Sequence, residues 1–205
     1  MGSNSFNFFV AKSRENPAKP ANQDSRTEAI TGFLKAAHQA LAPYNVMVAG
    51  DIFGYVMWNL DDTGIGQKVD AVLDAVDVVC PMLYPSGYQF GIPHYKNPVQ
   101  NTYEIVYLSL KRAQERTNAN PLRFRPWLQA FRDYAFRGGD FKEDRMRIQI
   151  EASDKFGASG WMFWNPRNVY PTGKFADGRG WNQGRPPGSD PTRAGEIFSS
   201  NGYAG

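Results

Sequence analysis

Short apolar runs that each stop at a polar or aromatic cluster recur along this chain, and amphipathic segments separate them. The run Val46, Met47, Val48, Ala49 is rich in β-branched residues and meets Gly50 and Gly54, which argues strand over helix. It ends at Asp51 and opens into aromatics, the pair Trp58-Asn59 and a Gly-rich loop reaching Gln67. The same grammar returns at 78–83, 125–131 and 160–164, and a further strand is expected at 6–11.

Helices are expected between these runs. Over 26–41, Ile30, Phe33, Leu34, Ala37 and Leu41 fall three and four apart, and Pro43 follows as a stop. Asp24 or Ser25 is expected to cap that helix, with Glu28 completing a capping box. Val69, Val72, Leu73 and Val76 give a second helical face, and Ile105, Leu108, Ser109 and Ala113 trace a third over 102–116. A fourth is expected over 140–156, with Met146, Ile148 and Ile150 apolar and Gly157 as its C-cap. Strands alternating with helices predict a parallel α/β sheet with right-handed crossovers. At 205 residues there is room for one well-buried domain, expected at 1–172. Residues 173–205 are dominated by Gly, Pro, Arg, Ser and Asp without a periodic face and read as a flexible tail.

Composition excludes several classes. The net charge of +3 is spread along the chain, so nothing points to nucleic acid. A single cysteine, Cys80, sits in an apolar run and reads as a buried inert thiol. No apolar segment approaches the ~18 residues of a membrane span, and the first twenty residues do not read as a signal peptide, so location is left open. His38 and His94 have no ligand spacing, and phosphate-loop, dinucleotide and G-x-S-x-G motifs are absent; no metal or cofactor is expected.

If the strand faces Met47/Ala49/Asp51, Cys80/Met82/Tyr84, Trp127/Gln129/Phe131/Asp133 and Trp161/Phe163/Asn165 all point inward, their C-terminal ends gather polar groups on one rim. That rim would hold Asp51, Tyr84, Asp133 and Asn165, with Tyr88, Arg132, Trp164 and Arg167 beside them. Two carboxylates across an aromatic cleft suit glycoside hydrolysis, one protonating the leaving oxygen while the other stays ionised. Asp51 and Asp133 are the catalytic candidates. Trp58, Tyr84, Tyr88, Arg132, Trp164, Asn165 and Arg167 are the candidates for binding a carbohydrate substrate. Blander readings stand beside these: Asp51 as a turn acid, Asp133 in an ion pair with Arg132, Asp61 and Asp62 as loop-shaping groups, and the tryptophans as packing.

The segments GDIFGYVMWNLDDTGIGQ, VDVVCPMLYPSGY, RPWLQAFRDY and GWMFWNPRN, in this order and spacing, resemble an uncharacterised bacterial family of glycoside-hydrolase type. The resemblance runs from about residue 26 to 170 and implies a (β/α)8 TIM barrel acting on polysaccharide, with its site at the C-terminal strand ends. Five expected strands would make this the last five-eighths of such a barrel, and an open barrel invites self-association. An earlier strand of the family carries an Asp in the pattern F-D-Y-V-R-F-P. Its counterpart here runs Phe6-Asn7-Phe8-Phe9-Val10-Ala11-Lys12, so Asn7 stands where that acid would be, and an amide cannot ionise. The alternatives to an active enzyme are a non-catalytic carbohydrate-binding remnant and an inactive fragment.

Overall fold

The structure, a computed structural model, describes residues 22–170. The strand expected at 6–11, with Asn7, and the tail expected at 173–205 lie outside the described residues. Four strands form one parallel sheet: β1 (Ala49–Phe53), β2 (Val78–Met82), β3 (Trp127–Gln129) and β4 (Met162–Trp164), in the order β1-β2-β3-β4. Helix α1 (Gln23–Leu41) precedes β1, and α2 (Val69–Leu73), α3 (Thr102–Thr117) and α4 (Glu143–Phe156) connect successive strands. Parallel neighbours in chain order, joined through helices, follow the succession of a (β/α)8 barrel. Among the described residues no helix is long and apolar enough to cross a membrane.

The core lies between one face of the sheet and the helices. Helix α3 shows why it sits there: Thr102, Ile105, Val106, Ser109, Leu110 and Ala113 are buried at helical spacing and form one stripe. Full burial of residues such as Ile105 and Leu110 contributes about 1.5–3 kcal/mol each. On the strand side Ile52, Val79, Leu83 and Leu128 meet that stripe. Helix α4 starts at Glu143, later than expected, and buries Met146, Gln149, Ala152 and Ser153 while Ile148 stays exposed. Gly157 caps it with φ 90°, a conformation that only glycine adopts without cost.

The first helix departs further from expectation. Its N-cap is Asn22, whose side chain accepts from the Ser25 amide while Ser25 Oγ accepts from the Asn22 amide. None of its residues is buried, and Phe33 and Leu41 are exposed. Leu34 packs partly buried against the core, and polar ties add to that contact. Arg26 donates to both oxygens of buried Asp62, at 2.6 and 3.0 Å, and His38 lies 3.2 Å from Asp77.

The sheet begins later than the apolar run suggested: Val46 and Met47 are exposed and β1 opens at Ala49. Register fixes which side chains share a face. Asp51 pairs with Cys80, Phe53 with Met82, Met82 with Trp127, and Gln129 with Trp164. Leu128 pairs with Phe163, which places Phe163 on the helix-facing side. The expected set Trp161/Phe163/Asn165 is therefore corrected: the face of β4 shared with Asp51 carries Met162 and Trp164. The β2–β3 ladder is thin because of Pro81. Arg125 donates to the Val79 carbonyl at 2.9 Å and Leu83 donates to the Trp127 carbonyl at 3.0 Å, but Pro81 between them has no N–H to give.

Candidate active site

Asp51 leaves β1 on the face away from the helices and is exposed. The Trp127 indole Nε1 donates to Asp51 Oδ1 at 2.9 Å. Since β2 lies between β1 and β3, that indole crosses over β2, and Cys80 beneath it is buried. Trp164 meets Trp127 edge to face, with centroids 6.0 Å apart. One oxygen of Asp51 is thus held by an indole framed by a second, half-exposed indole, while Oδ2 takes no hydrogen bond from the described residues.

Tyr84, past the end of β2, stands close enough to Asp51 to feel its charge. Burial, then Asp51, then Tyr170 push its hydroxyl well above the ordinary tyrosine range, so it stays protonated and able to donate. The same face pushes the Cys80 thiol up to about 12, through burial first and Asp51 second, with Arg125 opposing. A thiol so placed is no nucleophile at neutral pH. Beside Tyr84 lies a recess of about 40 Å³ lined by Phe53, Gly54, Tyr55, Met82, Gly87, Tyr88 and Tyr134. A Cβ on Gly54 would meet the Met82 carbonyl at 2.5 Å and the Tyr88 hydroxyl at 2.8 Å, so only glycine lets the chain turn across the end of β2 here. Phe90, 84 % exposed, and Tyr134, 65 % exposed, extend this aromatic rim. Tyr134 stacks on Phe131, which in turn meets the edge of Tyr84 at 5.3 Å. Neither Phe90 nor Tyr134 stood out in the sequence, since both sit in loops that show no periodicity.

Asp133 is elsewhere in its chemistry. It is 6 % exposed, and its two oxygens accept from Ser86 Oγ at 2.7 Å and from the amides of Ala135, Phe136 and Gly138. Burial works to raise its pKa, but the Ala135 and Gly138 amides, Ser86 and Phe136 together outweigh it and hold the carboxyl below its usual range. These bonds stand in place of the ion pair with Arg132 that was the blander alternative for Asp133, and Arg132 is exposed. Ser86 also accepts from Gln129 Nε2 at 2.7 Å, and its amide donates to Gln129 Oε1. Gln149 of α4 bonds both backbone groups of Gln129, at 2.8 and 2.9 Å. This buried network fixes the loops after β2 and β3, which is how the rim is supported.

The remaining candidates divide. Tyr88 is 1 % exposed, with its hydroxyl 3.2 Å from Ser109 Oγ; it is part of the core and out of reach of a sugar. Trp58 is not at the end of a strand: a 3-10 turn (Gly54–Met57) carries it to the helix layer, where Nε1 donates to Ser109 Oγ at 2.8 Å. Asn165 builds the turn after β4, donating to the carbonyls of Ala130 and Val169 and accepting from the Arg167 amide, while the Arg167 side chain is exposed. Asp61 accepts from the Thr63 amide two residues on, and Asp62 holds the Gly64 and Gly66 amides as well as Arg26.

Residues 9–170 match a protein family described as "Putative glycosyl hydrolase domain", and the chain belongs to that family. Among solved structures it is similar to the PgaB (BpsB) glycoside hydrolase domain from Bordetella bronchiseptica. The TM-score is 0.51 at 19 % identity, over 70 % of this chain and 38 % of that one. At this identity the likeness speaks to the fold, and this chain spans well under half of the other's length. No curated protein matches the chain.

Proposed function

We propose that this member of the family contributes the Asp51 side of a carbohydrate-cleaving cleft, with Asp51 as the acid/base carboxylate. The observation that supports this reading most is the Trp127–Asp51 hydrogen bond within a pair of edge-to-face indoles on the open face of the sheet. A carboxylate oriented by a fixed donor, with one oxygen uncommitted, suits proton transfer to a glycosidic oxygen. Trp164 and Tyr134 offer flat apolar faces to sugar C–H groups, Tyr84 a hydroxyl donor, and Arg132 and Arg167 exposed guanidinium groups.

The second carboxylate is not Asp133 in this reading. Its oxygens are occupied by one hydroxyl and three amides, and its low pKa unsuits it to donate a proton. On the described strands the face shared with Asp51 carries Ala49, Phe53, Val78, Cys80, Met82, Trp127, Gln129, Met162 and Trp164, none of them acidic. The same observation favours a second reading, a carbohydrate-binding remnant with little turnover. The experiment that separates them compares the chain with Asp51→Asn on a panel of polysaccharides. Slow hydrolysis abolished by Asp51→Asn, with binding kept, supports the enzyme; binding without turnover in both supports the remnant. Turnover unchanged by Asp51→Asn would remove Asp51 from the chemistry.

A further inference from the structure

The displaced Trp58 does not stand alone. Its indole forms one wall of a groove of about 280 Å³ whose other wall is the outer side of α3, with Leu108, Lys111, Arg112 and Glu115. That volume is just below the roughly 300–1,000 Å³ of drug-sized ligand pockets, so it suits one sugar ring at a time. The Nε1–Ser109 hydrogen bond fixes the plane of the ring, as a stacking platform requires. The charges around it do not balance. Lys111 and Glu115 approach to 4.0 Å, which leaves Arg112 beside a second cation, Arg116, one turn on. Burial first, and then Arg112, depress the Arg116 pKa, with Asp70 offsetting part of this; Arg116 itself is committed to the Val56 and Met57 carbonyls. Like charges four apart on a helix oppose each other, and an anion beside Arg112 would relieve the pair.

We propose that the groove between Trp58 and α3 is a second carbohydrate site, taking an acidic saccharide whose ring lies on the Trp58 indole and whose carboxylate or sulfate meets Arg112 and Lys111. It lies on the helix layer, whereas Asp51 leaves the sheet on the opposite side, so it stands independently of any role for Asp51. The site anchors polymer and performs no chemistry. Affinity electrophoresis of the whole chain through gels containing polygalacturonate, dextran or added inorganic phosphate tests it. Retardation is expected in polygalacturonate and not in dextran, weakened roughly tenfold by Arg112→Glu and clearly weakened by Trp58→Phe. Arg112→Gln removes the charge with less risk to the helix and decides the matter if the Glu variant loses its circular dichroism. Retardation in dextran equal to that in polygalacturonate, equal retardation in Arg112→Gln, or full displacement by millimolar phosphate would overturn the proposal. So would retardation lost through Trp164→Ala while Arg112→Gln retains it, which would place acidic-polymer binding in the Asp51 cleft instead.

Discussion

Trp127 and Asp51 stand on strands that are not neighbours, so the hydrogen bond between them ties three strands together through side chains. Trp127→Phe keeps most of the apolar contact with Trp164 and removes the donor. Under the proposed role of Asp51, its expected outcome is a loss of any hydrolysis approaching that of Asp51→Asn, at a stability cost of only about 0.5–1.5 kcal/mol, read from urea midpoints. Asp133 calls for the opposite pattern. Asp133→Ala strips an acceptor from Ser86 and three amides and should cost roughly 2–4 kcal/mol, with activity following the folded fraction. pH gives a second handle on the same residue and on Asp62. Both carboxyls are held below their ordinary values, Asp62 mainly by Arg26 and Asp133 by its amides and Ser86 against burial. The native state therefore binds fewer protons there than the unfolded chain does. Their stabilisation is fully present above the unfolded value near pH ~4 and is lost as pH falls through the lower folded values. Urea midpoints should stay flat on this account above about pH 5 and drop below about pH 4. In Asp133→Asn the acid-side drop should be smaller, and an unchanged drop would contradict the assignment.

At the scale of the element, α1 is the outlier. An amphipathic helix normally gains its stability by burying a face, and this one buries no residue. Besides Leu34 on the core and His38 near Asp77, it is attached through Asp62, which takes Arg26 on one side and the Gly64 and Gly66 amides on the other. Asp62→Ala should therefore speed amide exchange across Gln23–Leu41 while leaving Val78–Met82 as protected as before. Exchange rising equally in both would mean that α1 and the sheet open as one unit. Strand β2 carries a comparable compromise, since Pro81 sits inside the sheet at the cost of a rung to β3. Its tolerance follows from burial on the helix side and from the intact β1 ladder, in which five residue pairs are in register.

For the whole molecule, the described sheet has two unpaired edges, β1 and β4, and exposes Phe53 and Trp164 on the face away from the helices. Phe33 and Leu41 add an apolar strip on α1. Edges and apolar faces of this kind template further pairing. Concentration-dependent association in size-exclusion chromatography, with binding of a hydrophobic dye, is the expected behaviour. A monodisperse monomer with a sharp melt and no dye uptake would show that other parts of the chain cover these surfaces. Restoring an acid through Asn7→Asp belongs to this scale too, because its effect depends on where the strand expected at 6–11 lies relative to Asp51. Increased turnover, reversed by Asp51→Asn, would identify the second carboxylate.

The alternation of strands and helices was legible in the sequence, because periodicities of two and near four are properties of local chain geometry. So were the Gly157 cap and the buried Cys80, whereas Asp51, expected to end its strand, stands in the middle of β1. Local pattern could not say which face of β4 met the helices: Trp161, Met162, Phe163 and Trp164 are all apolar, so alternation there carries no contrast, and only pairing with Leu128 and Gln129 resolved it. Trp58 moved to the helix layer because a 3-10 turn, built on the close approach of Gly54 to Met82, redirects the chain after β1. Gln149, polar by type, became buried because Gln129, 20 positions away, takes up its amide, and Asp133 because Ser86, 47 positions away, joins three amides of its own loop around the carboxylate. Burial of a polar group is decided by its partners, and partners distant in sequence are brought together only by the fold.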